Sequence, residues 1–157
     1  MGFGGAGQQL NTLHIMVGLP GSGKTTLARA LAAQTGAIRF TPDDWHLLLF
    51  GQDLDDPAHN ARHDQIEAIQ QALAFDLLAR GVDVVLDFGV WSRAERDDLR
   101  ARARALGVTV VLHPCDAPLD QLVARSQSRP DGFPVTLAML TTWSALYDPV
   151  TPEEAAL

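Results

Sequence analysis

Gly18-Leu-Pro-Gly-Ser-Gly-Lys-Thr25 is the stretch whose reading decides the fold. It matches the phosphate-binding loop pattern G-x-x-x-x-G-K-[ST] at every fixed position. The apolar run Leu13–Val17, broken only by His14, precedes it and reads as a buried strand, and Thr25–Thr35 follows as a helix. Gly21 and Gly23 let the backbone bend around an anion with its N–H groups pointing inward. Lys24 adds a compact charge for the β- and γ-phosphates of ATP, and Thr25 offers a hydroxyl to Mg²⁺. Gly18, Pro20, Ser22 and Thr26 complete the set of expected nucleotide-binding positions. Lys24 is also the only lysine, every other cation being arginine. An ammonium is thus kept where a point charge is wanted.

The chain has 157 residues, 46% of them hydrophobic, which fits one domain with a full core. A net charge of −7 argues against a protein whose main task is gripping nucleic acid. The single cysteine, Cys115, excludes an intrachain disulfide and a thiolate zinc cluster, and fits a cytoplasmic location. No apolar run approaches a membrane span, and residues 1–7 lack the regions of a signal peptide. Residues 1–11 read as a flexible tail, 12–147 as the domain, and 148–157 as a second, proline-broken acidic tail.

Strands and helices alternate along the domain. Short strands are expected at Ala37–Phe40, Val82–Asp87 and Thr109–His113. A long helix from about His59 to Arg80 carries Ile66, Ile69, Leu73 and Leu77 at helical spacing on one face. Ser92 with Glu95 three residues on forms a capping-box signature for the next helix. Further helices are expected at Leu119–Gln127 and Val135–Leu146, with a mobile loop from Ser128 to Pro134 between them. This order predicts an α/β domain: one parallel sheet, helices on both faces, and the phosphate loop at the carboxyl edge of a central strand.

Several side chains would stand at that edge. Asp87 ends a run of apolar residues in the strand expected beside the first, where an acid can hold Mg²⁺. Asp43 and Asp44 follow the second strand, and a carboxylate there can accept a proton from an attacking hydroxyl. Asp is equally a favoured N-cap, so one of the pair can cap while the other does chemistry. Arg125 and Arg129, four apart before the proline-flanked loop, fit a short lid over the phosphates. Trp45 and Trp91 lie just past strands, where they could line an acceptor pocket or pack in the core. His59 and His63 have a spacing that two metal ligands on a helix could use. With no HExxH and no evident third ligand, they read as a solvated helix start.

With these residues in hand, the chain resembles the P-loop kinase family that includes the phage-type polynucleotide 5′-kinase domain, the zeta toxins and small phosphotransferases such as chloramphenicol phosphotransferase. The resemblance runs from about Leu13 to Tyr147. It rests on Gly18–Thr26, Pro42-Asp-Asp-Trp45, Val84-Val-Leu-Asp87, Arg93-Ala-Glu-Arg96 and Leu122-Val-Ala-Arg-Ser-Gln-Ser-Arg129. It implies a nucleoside-kinase-like fold with a short lid. It also implies Asp43 as general base and Arg125 and Arg129 as lid arginines acting beside Lys24. Asp44, Trp45, His46, Trp91 and Arg96 are the residues expected toward the acceptor. Where the polynucleotide kinases carry arginines around the Asp-Asp-aromatic motif, this chain has Pro42 and His46, and Asp87-Phe-Gly89 replaces their Asp-x-Asn. The expected activity is therefore transfer of the γ-phosphate of ATP to a hydroxyl of a small molecule such as an antibiotic or sugar-like metabolite. A polynucleotide 5′-hydroxyl kinase and a nucleotide-binding regulatory ATPase are the alternatives.

Overall fold

The computed structural model describes residues 10–129 and 133–157. Four parallel strands form one sheet: β1 (Thr12–Val17), β2 (Ile38–Phe40), β3 (Val84–Gly89) and β4 (Thr109–Pro114), in the order β2-β3-β1-β4. β1 is central, with Leu13 opposite Val84 of β3 on one side and Val110 of β4 on the other. The phosphate loop therefore leaves the sheet at its carboxyl edge, as the alternating pattern predicts. The helices are α1 (Lys24–Thr35), α2 (Pro42–Phe50), α3 (His59–Ala79), α4 (Arg93–Ala105), α5 (Leu119–Gln127), α6 (Leu137–Ser144) and α7 (Pro152–Ala155). None of the described helices is long and apolar enough to cross a membrane.

Alternation along the strands divides the core. Leu13, Ile15, Val17, Val84 and Leu86 pack with Ala74 and Leu78 of α3 and with Leu99 and Ala103 of α4. Met16 and Val85 point the other way, to Ala28 of α1 and Ala37. A parallel sheet needs both faces covered, and burial of each Leu- or Ile-sized side chain contributes about 1.5–3 kcal/mol. A third cluster joins Leu19 of the phosphate loop to Leu122, Val135 and Leu140, fixing α5 and α6 beside the loop. Helix ends follow the sequence signals. Gly36 closes α1 in the left-handed region (φ 75°), and the Ser92 side chain accepts from the Glu95 N–H at 3.1 Å.

Three expectations need correction. The buried stripe of α3 is Ile66, Gln70, Ala74 and Leu78, whereas Ile69 and Leu73 are exposed. A polar side chain took a core position because it has a task there: Gln70 Nε2 donates to the carbonyl of Thr41 at 3.1 Å, fixing the start of α2. At the amino end, Asn11 already belongs to the domain, donating from Nδ2 to Leu78 O (2.9 Å) and Val82 O (3.2 Å). The rest of the expected amino-terminal tail, residues 1–9, lies outside the described residues, as do 130–132 of the expected lid loop. The segment from 148 onward is likewise no loose tail. It carries α7, whose Glu154 is buried and ion-paired to α4.

Candidate active site

The loop takes its shape from its own glycines and from Gly89 at the end of β3. Gly18 N–H donates to Gly89 O at 3.0 Å, so the start of the loop lies against the end of β3. A Cβ on Gly89 (φ 87°) would come within 2.9 Å of Gly18 O. A Cβ on Gly21 (φ 84°) would meet Leu122 O at 2.6 Å and Ser126 Oγ at 2.8 Å, so only glycine lets the loop press on α5. Gly23 (φ 89°) is the N-cap of α1 and has open space around it, as backbone that wraps an anion needs. The first N–H groups of α1 have no partner within the helix, and the buried Ser22 Oγ has none at all. Trp91 braces the loop from the other side, its indole N–H donating to Gly18 O at 3.2 Å.

Asp87 is buried in the carboxyl half of β3, two residues before its end at Gly89. Its Oδ2 accepts from Arg39 Nη1 at 3.2 Å, while Oδ1 is buried with no partner. A desolvated carboxylate oxygen is costly unless a donor or cation meets it. The unpartnered Asp87 Oδ1 is an oxygen donor that a bound Mg²⁺ would suit, and Thr25 lines the same cleft. Arg39, overlooked in the sequence, also holds Asp44 Oδ2 at 3.2 Å. The only sequence signal for it was a lone arginine in a three-residue strand ahead of two aspartates.

A cleft of about 880 Å³ runs from the loop across this edge. Lys24, Thr25, Asp43, Asp44, Asp87, Trp91 and Arg129 all line it. Arg125 turns instead to the loop backbone, its Nη1 lying 3.4 Å from Gly21 O. Asp43 is not the N-cap of α2. Thr41 holds that position in extended conformation (φ −139°), Pro42 follows, and Asp43 and Asp44 sit within the first turn. Their charge suits that end of the helix dipole. The Asp44 carboxylate is paired to Arg39, whereas that of Asp43 has as its nearest cation-forming group only His63, with Nε2 at 3.8 Å.

Three expected acceptor residues do not reach the cleft. Trp45 packs edge-on to Phe40 against the core. His46 is fully buried and hydrogen-bonded to Asp53 and His63. Arg96 is also fully buried, and each of its five N–H donors is used. They reach both carboxylate oxygens of Glu154 (2.7 and 2.8 Å) and the carbonyls of Val90 (3.0 Å), Trp91 (2.9 Å) and Asp148 (2.8 Å). This arginine fixes the turn after β3 and so positions Trp91. Glu154 was overlooked because its partner is 58 residues away in sequence.

The AAA domain family model matches residues 13–150, nearly the whole chain. The chain belongs to this family. No curated protein matches it. Among solved structures it is similar to a chain of the Pnkp1/Rnl/Hen1 RNA repair complex, with a TM-score of 0.71 and 23% identity over 87% of this chain and 44% of that one. It therefore spans less than half of that larger chain. A putative kinase from Chloroflexus aurantiacus matches with TM-score 0.67 and 20% identity over 96% of this chain and 76% of that one. A gluconokinase from Sinorhizobium meliloti matches with TM-score 0.65 and 21% identity over 92% and 79%. The AAA domain seen here thus has a kinase-like P-loop fold, with a four-stranded parallel sheet flanked by helices.

Proposed function

We propose that the protein transfers the γ-phosphate of ATP to a hydroxyl of a small molecule. One observation carries the reading: a carboxylate held by no arginine, Asp43, faces the same cleft as the phosphate-loop lysine. A nucleotide-binding switch needs the loop and the metal but no such base. Lys24 and the loop N–H groups would hold the β- and γ-phosphates, with Arg129 closing on the transferring group and Arg125 supporting the loop through Gly21. Bound Mg²⁺, held by Thr25 and Asp87, would offset phosphate charge. Asp43 would orient the acceptor hydroxyl and take its proton, while Arg39 keeps Asp44 and one oxygen of Asp87 in place.

The charge of the cleft supports a small acceptor. Among the described residues it is lined by six carboxylates (Asp43, Asp44, Glu67, Asp87, Glu95, Asp98) against three cations (Lys24, Arg29, Arg129). A nucleic-acid groove needs cations tracking successive phosphates. The testing experiment is labelled γ-phosphate transfer to a panel of nucleosides, aminoglycosides, sugar-like metabolites and 5′-hydroxyl oligonucleotides. Label is expected on a small hydroxylated molecule. Efficient labelling of the oligonucleotide would instead make the chain a polynucleotide kinase, and phosphate release with no acceptor labelled would favour a regulatory ATPase.

Asp43→Asn is expected to lower turnover about 10²-fold, within the range for loss of a general base. Nucleotide affinity should hold, because this carboxylate faces the acceptor. Thr41 rather than Asp43 caps α2, so no cap is lost and the melting temperature should change little. Normal turnover in this variant would remove Asp43 from the mechanism.

A further inference from the structure

Beside the cleft, α2 and the start of α3 bring together three histidines that the phosphotransfer reading does not use. His46 comes from α2, and His59 and His63 from successive turns of α3. We propose that these three imidazoles form a binding site for a transition-metal dication of the zinc class.

The geometry is that of a built site. One ring nitrogen from each histidine lies within 4.8 Å of the others. His46 Nδ1 and His63 Nδ1 are 3.2 Å apart, close to the roughly 3.3 Å edge of a tetrahedron with zinc–nitrogen arms of about 2.0–2.1 Å. The opposite nitrogens are held by carboxylates. Asp53 Oδ1 bonds His46 Nε2 at 2.6 Å and His59 Nδ1 at 2.5 Å. Asp53 is itself steadied by Arg62 at 2.9 Å. His63 Nε2 faces Glu67 at 3.5 Å and Asp43 at 3.8 Å. Carboxylates behind the ring are what orient histidine ligands and raise their basicity. The nitrogens not held by a carboxylate are Nδ1 of His46, Nε2 of His59 and Nδ1 of His63.

Proton placement makes the same point. With an Nε2 proton donated to Asp53, His46 keeps a lone pair on Nδ1. If His63 points its proton at Glu67 and Asp43, its Nδ1 lone pair meets that of His46 at 3.2 Å. If it turns the proton to His46, a lone pair faces two carboxylates instead. Neither neutral tautomer of His63 suits both sides; a positive charge does, either a second proton on His63 or a metal cation between the rings. Nitrogen donors select the zinc class over Mg²⁺ and Ca²⁺, which require oxygen, so this site is chemically distinct from the one beside the phosphate loop. Phe133 stands edge-on to His46 and to His59, at 5.2 Å from each, and closes one side with an apolar ring. His59 and His63 line the cleft. A fourth coordination position, open to water or to an oxygen or amine of a cleft ligand, would face that way. The site stands independently of the phosphotransfer reading.

The experiment is Zn²⁺ titration of the untagged full chain against a chromogenic chelator, with Co²⁺ absorption as a second readout of coordination. The wild-type chain is expected to take one equivalent. His59→Ala and His63→Ala, at partly exposed positions, should each weaken binding by at least about 100-fold, and Asp53→Asn by about 10–100-fold. Each variant's fold is checked by circular dichroism. His14→Ala should bind as wild type does, which separates this cluster from the only other described histidine pair, His14 with His113 at 2.9 Å. The proposal is overturned if the wild-type chain binds Zn²⁺ no more tightly than the His59→Ala/His63→Ala double variant, or if His14→Ala alone abolishes binding.

Discussion

Lys24→Ala is expected to lower γ-phosphate transfer by at least about 10³-fold, the upper end of what one preorganised donor contributes to a developing anionic transition state. No other lysine exists to substitute for it. Arg39 is already engaged with two aspartates and Arg125 with Gly21 O, and Arg129 has its own proposed place on the transferring group. Lys24→Arg should rescue little, because a planar guanidinium needs more room than the loop gives a compact ammonium. Stability should move the opposite way. Lys24 opens α1, and a cation at a helix N-terminus costs roughly 0.3–1 kcal/mol, so alanine there should leave the melting temperature equal or slightly higher. Transfer rates within tenfold of wild type would refute the phosphotransfer reading as a whole.

Glu154→Gln should destabilise the chain by about 3–5 kcal/mol, the usual cost of removing one partner from a buried ion pair. For a chain of this size that corresponds to a fall of roughly 6–20 °C in melting temperature. The carboxylate meets Arg96 through two bonds and Arg100 at 3.3 Å, all buried, so its loss leaves the Arg96 guanidinium with no carboxylate, while Arg100 keeps Asp97 at 2.7 Å. The hydrogen bonds from Arg96 hold the Glu154 pKa below its ordinary value of 4.5, burial notwithstanding. A depressed folded-state pKa means that this stabilisation is complete above the unfolded value and is lost as pH falls through the folded one. The gap between wild type and variant should therefore be full at neutral pH and narrow below about pH 4.5. Equal melting temperatures at neutral pH would restore the view of this segment as a tail. Because Arg96 also holds the carbonyl of Trp91, nucleotide affinity should fall in the same variant.

What could be read from the sequence was whatever short-range spacing encodes. The phosphate loop and the Ser92 cap each depend on residues a few positions apart, and each lies where expected, whereas β3 runs two residues past Asp87, where the sequence reading ended it. The buried face of α3 was misread because apolarity stood in for burial: Gln70 is buried for its bond to Thr41, and Ala74 because it allows close packing, while Ile69 and Leu73 face outward. Arg96 and His46 look like acceptor residues by position, but each is taken up by partners on other elements, Glu154 of α7 for the one and the α2–α3 loop's Asp53 with His63 of α3 for the other. The histidine cluster was hidden for the same reason. The i,i+4 pair was visible, and its third member sat 13 residues earlier on another helix, assigned to a different task.

The bond from Trp91 to Gly18 gives the molecule an optical property. The indole N–H is committed to the first carbonyl of the loop, and its ring lies 5.7 Å from that of Trp143 on α6. Any shift of the loop on taking up a polyphosphate changes the polarity and orientation felt by this fluorophore pair. Trp45, packed on Phe40 in the core, contributes a steady background. Nucleotide uptake is therefore expected to register in the protein's own ultraviolet emission, and titration of the unmodified chain with no attached dye would read it.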